Sequence, residues 1–338
     1  MNDKECTIYC INSVKGGCGK TTVSLSIAYT IMYNLESEYM KEINNPIKKE
    51  DGKELSVPKV CYIDLDILGT GVEYVIFEED SNLKYFNNAH CKTDTYDDFK
   101  QFINPIDRVD SNLQIDCILL SADPKEKSKF LKGNHNYDKA HNMNVFLKRS
   151  EKLLSAFIKG KEYDAIIIDS SPSYDDFPRS IYKYLRNISS DKDNNIKKVY
   201  NLFVSTLETS HVLTTISTLV DMIKDSEVNQ QDIRVVFNDI NNYFGSKDEK
   251  APRGQFITQD EFTKEVVTCY NGYYVKLMRK IGDSHEPSLN SFNENSILYK
   301  KYSETAGKNV FRRSDRMSGS STAIKIMDNA FSSLVGDE

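Results

Sequence analysis

The chain has 338 residues, of which 39% are hydrophobic and 28% charged, and its formal net charge is −6. That content suffices for a core, no apolar run approaches the roughly 20 residues that span a bilayer, and the acidic balance argues against a constitutively strong nucleic-acid binder while leaving room for a local basic patch. The seven cysteines are scattered with no C-x-x-C pair, and Met1-Asn2-Asp3-Lys4-Glu5 lacks the basic and apolar regions of a signal peptide, which together predict neither disulfide framework nor zinc site and a cytoplasmic location.

The first predicted strand is the apolar run Thr7-Ile8-Tyr9-Cys10-Ile11, followed by Lys15-Gly16-Gly17-Cys18-Gly19-Lys20-Thr21-Thr22 and then by an amphipathic helix opening at Val23. Strand, glycine-rich turn and helix form the context that a phosphate-binding loop requires. Glycines let successive N–H groups turn inward toward an anion, and the helix adds its free N–H groups and the positive end of its dipole. Lys20 supplies a full charge for β- and γ-phosphates, and the Thr21 hydroxyl stands where Mg²⁺ would bind. The usual spacing puts a glycine five residues before Gly19; here that position is Val14, and a second lysine, Lys15, opens the loop.

Further along, residues 36–58 are polar and read as a surface excursion. Val60-Cys61-Tyr62-Ile63 is the next strand and ends in Asp64-Leu65-Asp66. A helical, partly acidic region is predicted through Glu79 to Phe102, a strand over 113–120, and an exposed loop or lid over 123–141. Helical spacing returns at Val145, Leu147, Leu153, Leu154 and Phe157. Strands follow at Ala165–Ile168, ending in Asp169, at Val199–Val204, and at Ile233–Phe237, ending in Asn238-Asp239. Near-continuous apolar strands separated by helices predict a doubly wound α/β fold: a mostly parallel sheet with helices on both faces. With no repeat and no clear boundary, residues 1–338 read as a single domain carrying insertions near 36–58 and 123–141. Open sheets of this kind bind ligands at the carboxyl ends of their strands, where Asp66 and Asp169 fall.

The loop K-G-G-x-G-K-T-T, with D-x-D at Asp64–Asp66, the strand-ending Asp169 and Asn238, resembles the deviant Walker A P-loop ATPases of the ParA/MinD superfamily of partitioning and positioning proteins. The resemblance covers the motifs from Thr7 to about Asn238 and the last third more loosely. It implies a cytoplasmic ATPase that binds ATP or ADP with Mg²⁺, forms a homodimer in the ATP state, hydrolyses slowly and answers to an activating partner protein. Gly16, Gly17, Cys18, Gly19, Lys20, Thr21 and Thr22 would hold the phosphates. Lys15 would cross the dimer interface to the partner subunit's nucleotide, Asp66 would orient the attacking water, and Asp169 would be the Walker B aspartate holding Mg²⁺ with Thr21. Asn238 would read the adenine edge with its paired donor and acceptor.

Blander readings stand beside these. Asp66 can be an N-cap, Lys15 a solvated charge, and Asn238 one half of a turn-forming dipeptide. Cys18 sits where inward amides favour a thiolate, yet a small residue that merely fits is the preferred reading. His135, His141 and His211 read as surface or structural. Residues 264–316 hold ten Lys or Arg against six acids, a mild excess that suits a mixed surface; in ParA relatives scattered residues of this region bind DNA nonspecifically. The helix predicted near 321–334 docks an apolar stripe on the core, and the acidic end Gly336-Asp337-Glu338 weakens a MinD-like membrane attachment. An iron–sulfur reductase is a poor match, because Cys117 and Cys269 do not follow the relevant strands. Ser171-Pro172 departs from the family's D-x-P-P or D-x-P-A continuation and keeps a non-catalytic interaction module open. The favoured expectation is DNA or plasmid partition, or cargo positioning.

Overall fold

The computed structural model describes residues 5–44, 56–67, 69, 72–77, 82–86, 95–108, 111–120, 139–174, 176–205, 209–224, 233–237 and 297–299. Its strands are β1 (Cys6–Asn12), β2 (Val60–Leu65), β3 (Asn104–Arg108), β4 (Ser111–Ile118), β5 (Ala165–Ser170), β6 (Ile196–Ser205), β7 (Ile233–Phe237) and β8 (Ile297–Tyr299). The helices are α1 (Lys20–Ile43), α2 (Glu73–Ile76), α3 (Tyr96–Lys100), α4 (Lys139–Lys159), α5 (Asp176–Ser189) and α6 (Thr209–Lys224). The strands form one sheet in the order β3-β4-β2-β5-β1-β6-β7-β8. Only the β3–β4 pair is antiparallel; the other neighbours run parallel.

Two cores flank this sheet, as the two-residue side-chain period of a strand requires when both faces are covered. Ile8 and Cys10 of β1, Cys61 and Ile63 of β2, and Ile166 and Ile168 of β5 point to one face. There they meet Phe146, Leu153 and Phe157 of α4, Phe177, Ile181 and Leu185 of α5, and Leu219 and Met222 of α6. Tyr9, Ile11, Val60, Tyr62 and Ile167 point to the other face and pack under Val23, Ile27, Ile31 and Met32 of α1. The doubly wound α/β architecture expected from the apolar strand runs is the one observed.

Four local differences have physical causes. The polar excursion begins later than its composition predicts, because α1 continues to Ile43. Polarity alone does not end a helix, and no Gly or Pro interrupts Glu36–Ile43 before Asn44-Asn45-Pro46. At its other end α1 is less amphipathic than expected: residues 23–25 and 27–32 are all buried, because apolar side chains occur on every side of those turns. The helical region predicted up to Phe102 is reduced to α2 and α3 among the described residues, and β3 follows it at the edge of the sheet. Pro105 sits within β3, where the absent N–H is tolerated at an edge, and it conceals the strand from a propensity reading. β8 spans only Ile297–Tyr299 and is too short for a periodic signal. The rest of the 264–316 cluster, the helix expected near 321–334, His135, Cys269 and Asn238 lie outside the described residues.

Candidate functional site

β1 ends at Asn12, and the chain turns through residues 13–19 into α1, which begins at Lys20. Gly17 has φ 79° and Gly19 φ 78°. Both are left-handed conformations that cost a side-chain-bearing residue roughly 1–2 kcal/mol, so the glycines at these two places are required by the turn. No heavy atom lies within 4 Å of where a Cβ would stand on Gly16 or Gly17, which leaves the loop's rim open to a ligand. Lys15 is half-buried at the loop entrance, and its carbonyl accepts a hydrogen bond from the Cys18 thiol at 3.3 Å. Cys18 is buried, and that burial pushes its thiol up, outweighing Ser13 and Lys20, which favour the thiolate. The preferred reading of Cys18 as a fitting small residue agrees with this.

β2, β5 and β1 are adjacent in the sheet and parallel. Their carboxyl ends therefore lie side by side, and Lys20, Asp66 and Asp169 meet there although 149 positions separate the first from the last. The Lys20 ammonium lies 3.2 Å from Asp66 Oδ2 and donates directly to Asp169 Oδ1. All three side chains are buried. Burial alone would lower the Lys20 pKa, but Asp169 and Asp66 more than offset it and hold the ammonium charged far above the usual lysine range. Asp66 does not cap the next helix, because α2 begins at Glu73 with Val72 at its N-cap and no side-chain cap. Its Oδ1 instead accepts the Gly69 N–H at 2.7 Å within the loop after β2, while Oδ2 faces Lys20. A Cβ on Gly69 would fall 2.7 Å from Asp66 Cγ, so only glycine lets the chain pass this carboxylate so closely.

Several participants carry no motif of their own. Tyr62 alternates in phase with Asp64 on β2, and its hydroxyl donates to Asp169 Oδ2 at 2.9 Å. Burial first, and Asp169 second, drive the phenol pKa well up, so Tyr62 remains a donor. Ser24 follows Lys20 by one helical turn; its Oγ lies 3.0 Å from the Tyr62 hydroxyl and donates to the Thr21 carbonyl at 2.9 Å. A second buried network links β1, β5 and β6. Ser170 Oγ donates to Asn12 Oδ1 at 2.5 Å, Asn12 Nδ2 to Asn201 Oδ1 at 2.6 Å, and Asn201 Nδ2 to the Tyr174 hydroxyl at 3.3 Å. For Tyr62, Asn12, Ser170 and Asn201 the signal available was a polar group inside an otherwise apolar strand, which must find a partner when buried; Ser24 on α1 and Tyr174 in the loop after β5 gave no such signal.

Asp64 is a register partner of Asp169 on the same face of the sheet. Its Oδ1 accepts the Asp66 N–H at 2.9 Å. Burial, reinforced by the Asp169 charge, raises its carboxyl from the ordinary 3.8 to about 8. Between those values the folded protein keeps a proton that the unfolded chain releases. The stability this group contributes is therefore full at the acid end and is lost as pH rises toward about 8. Asp64→Asn keeps the Oδ1 acceptor and abolishes that slope. In the absence of nucleotide and Mg²⁺, thermal unfolding followed by circular dichroism should show the variant gaining on wild type as pH rises from 5 to 8 (roughly the span between the two pKa values). A gap that stays constant over that range would show that Asp64 does not take up a proton on folding.

The donor set fits a nucleotide phosphate chain with Mg²⁺. Left-handed glycines, an open rim, a helix N-terminus and a buried lysine suit an anion. Asp169 and the Thr21 position on the first turn of α1 offer the hard oxygens that Mg²⁺ takes alongside phosphate and water. Among the described residues no cluster of three His, Cys, Asp or Glu side chains forms a metal cage.

The chain is similar in structure to a ParA family ATPase from Chlorobium tepidum, with a TM-score of 0.50 over 96% of this chain and 98% of that one, at 16% identity. The chain has the fold of a ParA family ATPase. More distant likenesses are a putative plasmid partition protein from Borrelia burgdorferi solved with AMPPNP (TM-score 0.44, 15% identity, 99% of this chain and 100% of that one) and the MinD cell division protein of Aquifex aeolicus (TM-score 0.46, 13% identity, 99% and 98%). No protein-family model and no curated protein matches the sequence. The carboxyl ends of the central strands β2, β5 and β1 lie together at one end of the sheet, where the loop residues, Asp66 and Asp169 stand. Among the described residues no helix is long and apolar enough to cross a membrane.

Proposed function

We propose that the protein is a cytoplasmic ATPase of the ParA type, which dimerises on binding Mg-ATP and hydrolyses it slowly to change its assembly state in DNA or plasmid partition or in cargo positioning. The observation that carries this reading is the convergence of Lys20, Asp66 and Asp169 beside the glycine loop. The ParA fold and the name of its Chlorobium tepidum likeness, an ATPase, support it.

In this reading the amides of Gly16, Gly17, Cys18 and Gly19 and of the first turn, Thr21 and Thr22 included, bind the phosphates. Lys20 leaves Asp169 and places its ammonium on the phosphoryl group being transferred, where it stabilises developing charge in a dry site. Asp169 and Thr21 would hold Mg²⁺, which when bound would further neutralise charge on the phosphate oxygens. Asp66 orients the attacking water, and the Gly69 N–H on its other oxygen keeps the carboxylate aimed. Tyr62, donating to Asp169, holds that carboxylate in orientation. Asn238 contacts adenine. The basic residues of 264–316 offer a weak, nonspecific DNA surface in the dimer, and a partner protein stimulates turnover.

Lys15 is the test of the dimer. Among the described residues no carboxylate pairs with its ammonium, and Lys20 with the loop amides already serves the nucleotide of its own subunit. Lys15→Ala should bind ATP with near wild-type affinity, remain monomeric with ATP and Mg²⁺, and fail to hydrolyse. Light scattering coupled to size exclusion, run on both proteins beside a phosphate-release assay, decides this. Equal dimerisation of variant and wild type would remove the cross-interface role, and absence of turnover in wild type would leave a non-catalytic binding module.

A further inference from the structure

Ser171 lies two residues beyond Asp169, in the segment Ser170-Ser171-Pro172-Ser173 that departs from the motif of the resembled family. Its side chain is buried at 4% exposure and reaches across to the end of β2. The hydroxyl accepts the Ile67 N–H at 3.1 Å and lies 3.4 Å from the Leu65 carbonyl, toward which it donates. Those two backbone groups belong to the residues on either side of Asp66. One hydroxyl thus straddles the aspartate by using both its capacities, donor and acceptor.

The remaining contacts of the loop make this bridge stiff. Asp64 Oδ1 holds the Asp66 N–H, and the Ile67 N–H lies 3.1 Å from the Leu65 carbonyl as well. At the far end of the same loop Tyr174 is buried, with its hydroxyl on Asn201 of β6 and its ring edge-on to Phe203, centroids 4.9 Å apart. Between them Ser173 holds a left-handed φ of 69°, a conformation that persists only where its surroundings impose it. The segment after β5 is pinned to β2 at one end and to β6 at the other.

We infer that Ser171 is a positioning residue for Asp66: its hydroxyl staples the loop after β5 to the loop after β2, and so sets the Asp66 carboxylate relative to Asp169 and Lys20. The inference rests on the ATPase reading for Asp66 and goes beyond it. It also turns the irregular Ser171-Pro172 spacing from a sign of lost activity into a working part of the site. Proline or alanine at position 171 cannot make this bridge. An aspartate aimed from a loop has no strand ladder to hold it, and displacement of a reacting group by about 1 Å can cost up to roughly 100-fold in rate.

The test compares wild type, Ser171→Ala and Ser171→Thr by steady-state phosphate release, with hydrogen exchange at the Ile67 amide as a second readout. Ser171→Ala should lower kcat about 10-fold to 100-fold with KM for ATP unchanged, and the Ile67 amide should exchange faster. Ser171→Thr, which keeps the hydroxyl, should restore both. A kcat unchanged in Ser171→Ala, while wild type turns over, overturns the inference alone. A fall that Ser171→Thr fails to restore, with the Ile67 amide protected again, also overturns it, because the bridge would then be present without its effect. Absence of turnover in wild type removes the ATPase reading and the inference with it.

Discussion

Lys20→Ala should lower the affinity for Mg-ATP by roughly 100-fold, the equivalent of losing a charge-assisted hydrogen bond to phosphate worth up to about 3 kcal/mol. A second effect follows from the geometry of the protein alone. The Lys20 ammonium is held between Asp66 and Asp169, all three buried. Removing the cation leaves two carboxylates without their partner. Breaking a buried pair in this way is destabilising by about 3–5 kcal/mol, so the variant's unfolding transition should fall as well. Calorimetric titration with ATP in Mg²⁺ buffer, below the variant's melting temperature, reads the first effect, and a thermal scan reads the second. ATP affinity equal to wild type would sink the phosphate-loop assignment. An unchanged melting temperature would mean that one of the two carboxylates takes up a proton instead.

Asp66→Ala should behave differently, although Asp66 and Asp169 share the same lysine. Lys20 keeps Asp169, and Asp169 keeps the Tyr62 hydroxyl, so the phosphate end of the site stays intact and ATP affinity should stay within a few-fold of wild type. Hydrolysis should fall by at least about 100-fold, the usual worth of a group that positions or deprotonates an attacking water. The ATP-bound dimer should therefore accumulate, since its release depends on turnover. Phosphate release measured beside light scattering separates the two readouts. Wild-type turnover in Asp66→Ala would show that another group orients the water, and Asp64, whose Oδ1 already holds the Asp66 N–H, is the nearest candidate.

Much of this candidate site was legible in the sequence because its key parts are local. A strand, a glycine turn and a helix follow one another over residues 6–43, and the lysine at the helix start owes its place to that local order. The acids were legible for a related reason. Apolar runs that end in Asp, as at Ile63-Asp64 and Ile168-Asp169, mark the carboxyl ends of buried strands, where open sheets bind ligands. The two positive-φ glycines of the loop fall where the turn requires them. What stayed hidden was local in a misleading way: Pro105 masked an edge strand, and the polarity of 36–43 masked the continuation of α1.

The long-range half of the site had no such signature. Tyr62 reads in sequence as one more apolar strand residue, and Ser171 as an irregularity after a motif. Tyr62 acquires its role from the register that sets Asp64 beside Asp169 and brings its own hydroxyl, on the same face, within 2.9 Å of a carboxylate 107 residues away. Ser171 acquires its role because the end of β5 lies against the end of β2, 104 residues from the amide it binds. Cys18 shows the converse: its neighbours in sequence favour a thiolate, and burial in the folded protein outweighs them. Spacing along the chain constrains groups within a few residues of one another. Strand order and register constrain groups a hundred residues apart, and hydrogen bonds act only over the roughly 3 Å that register supplies.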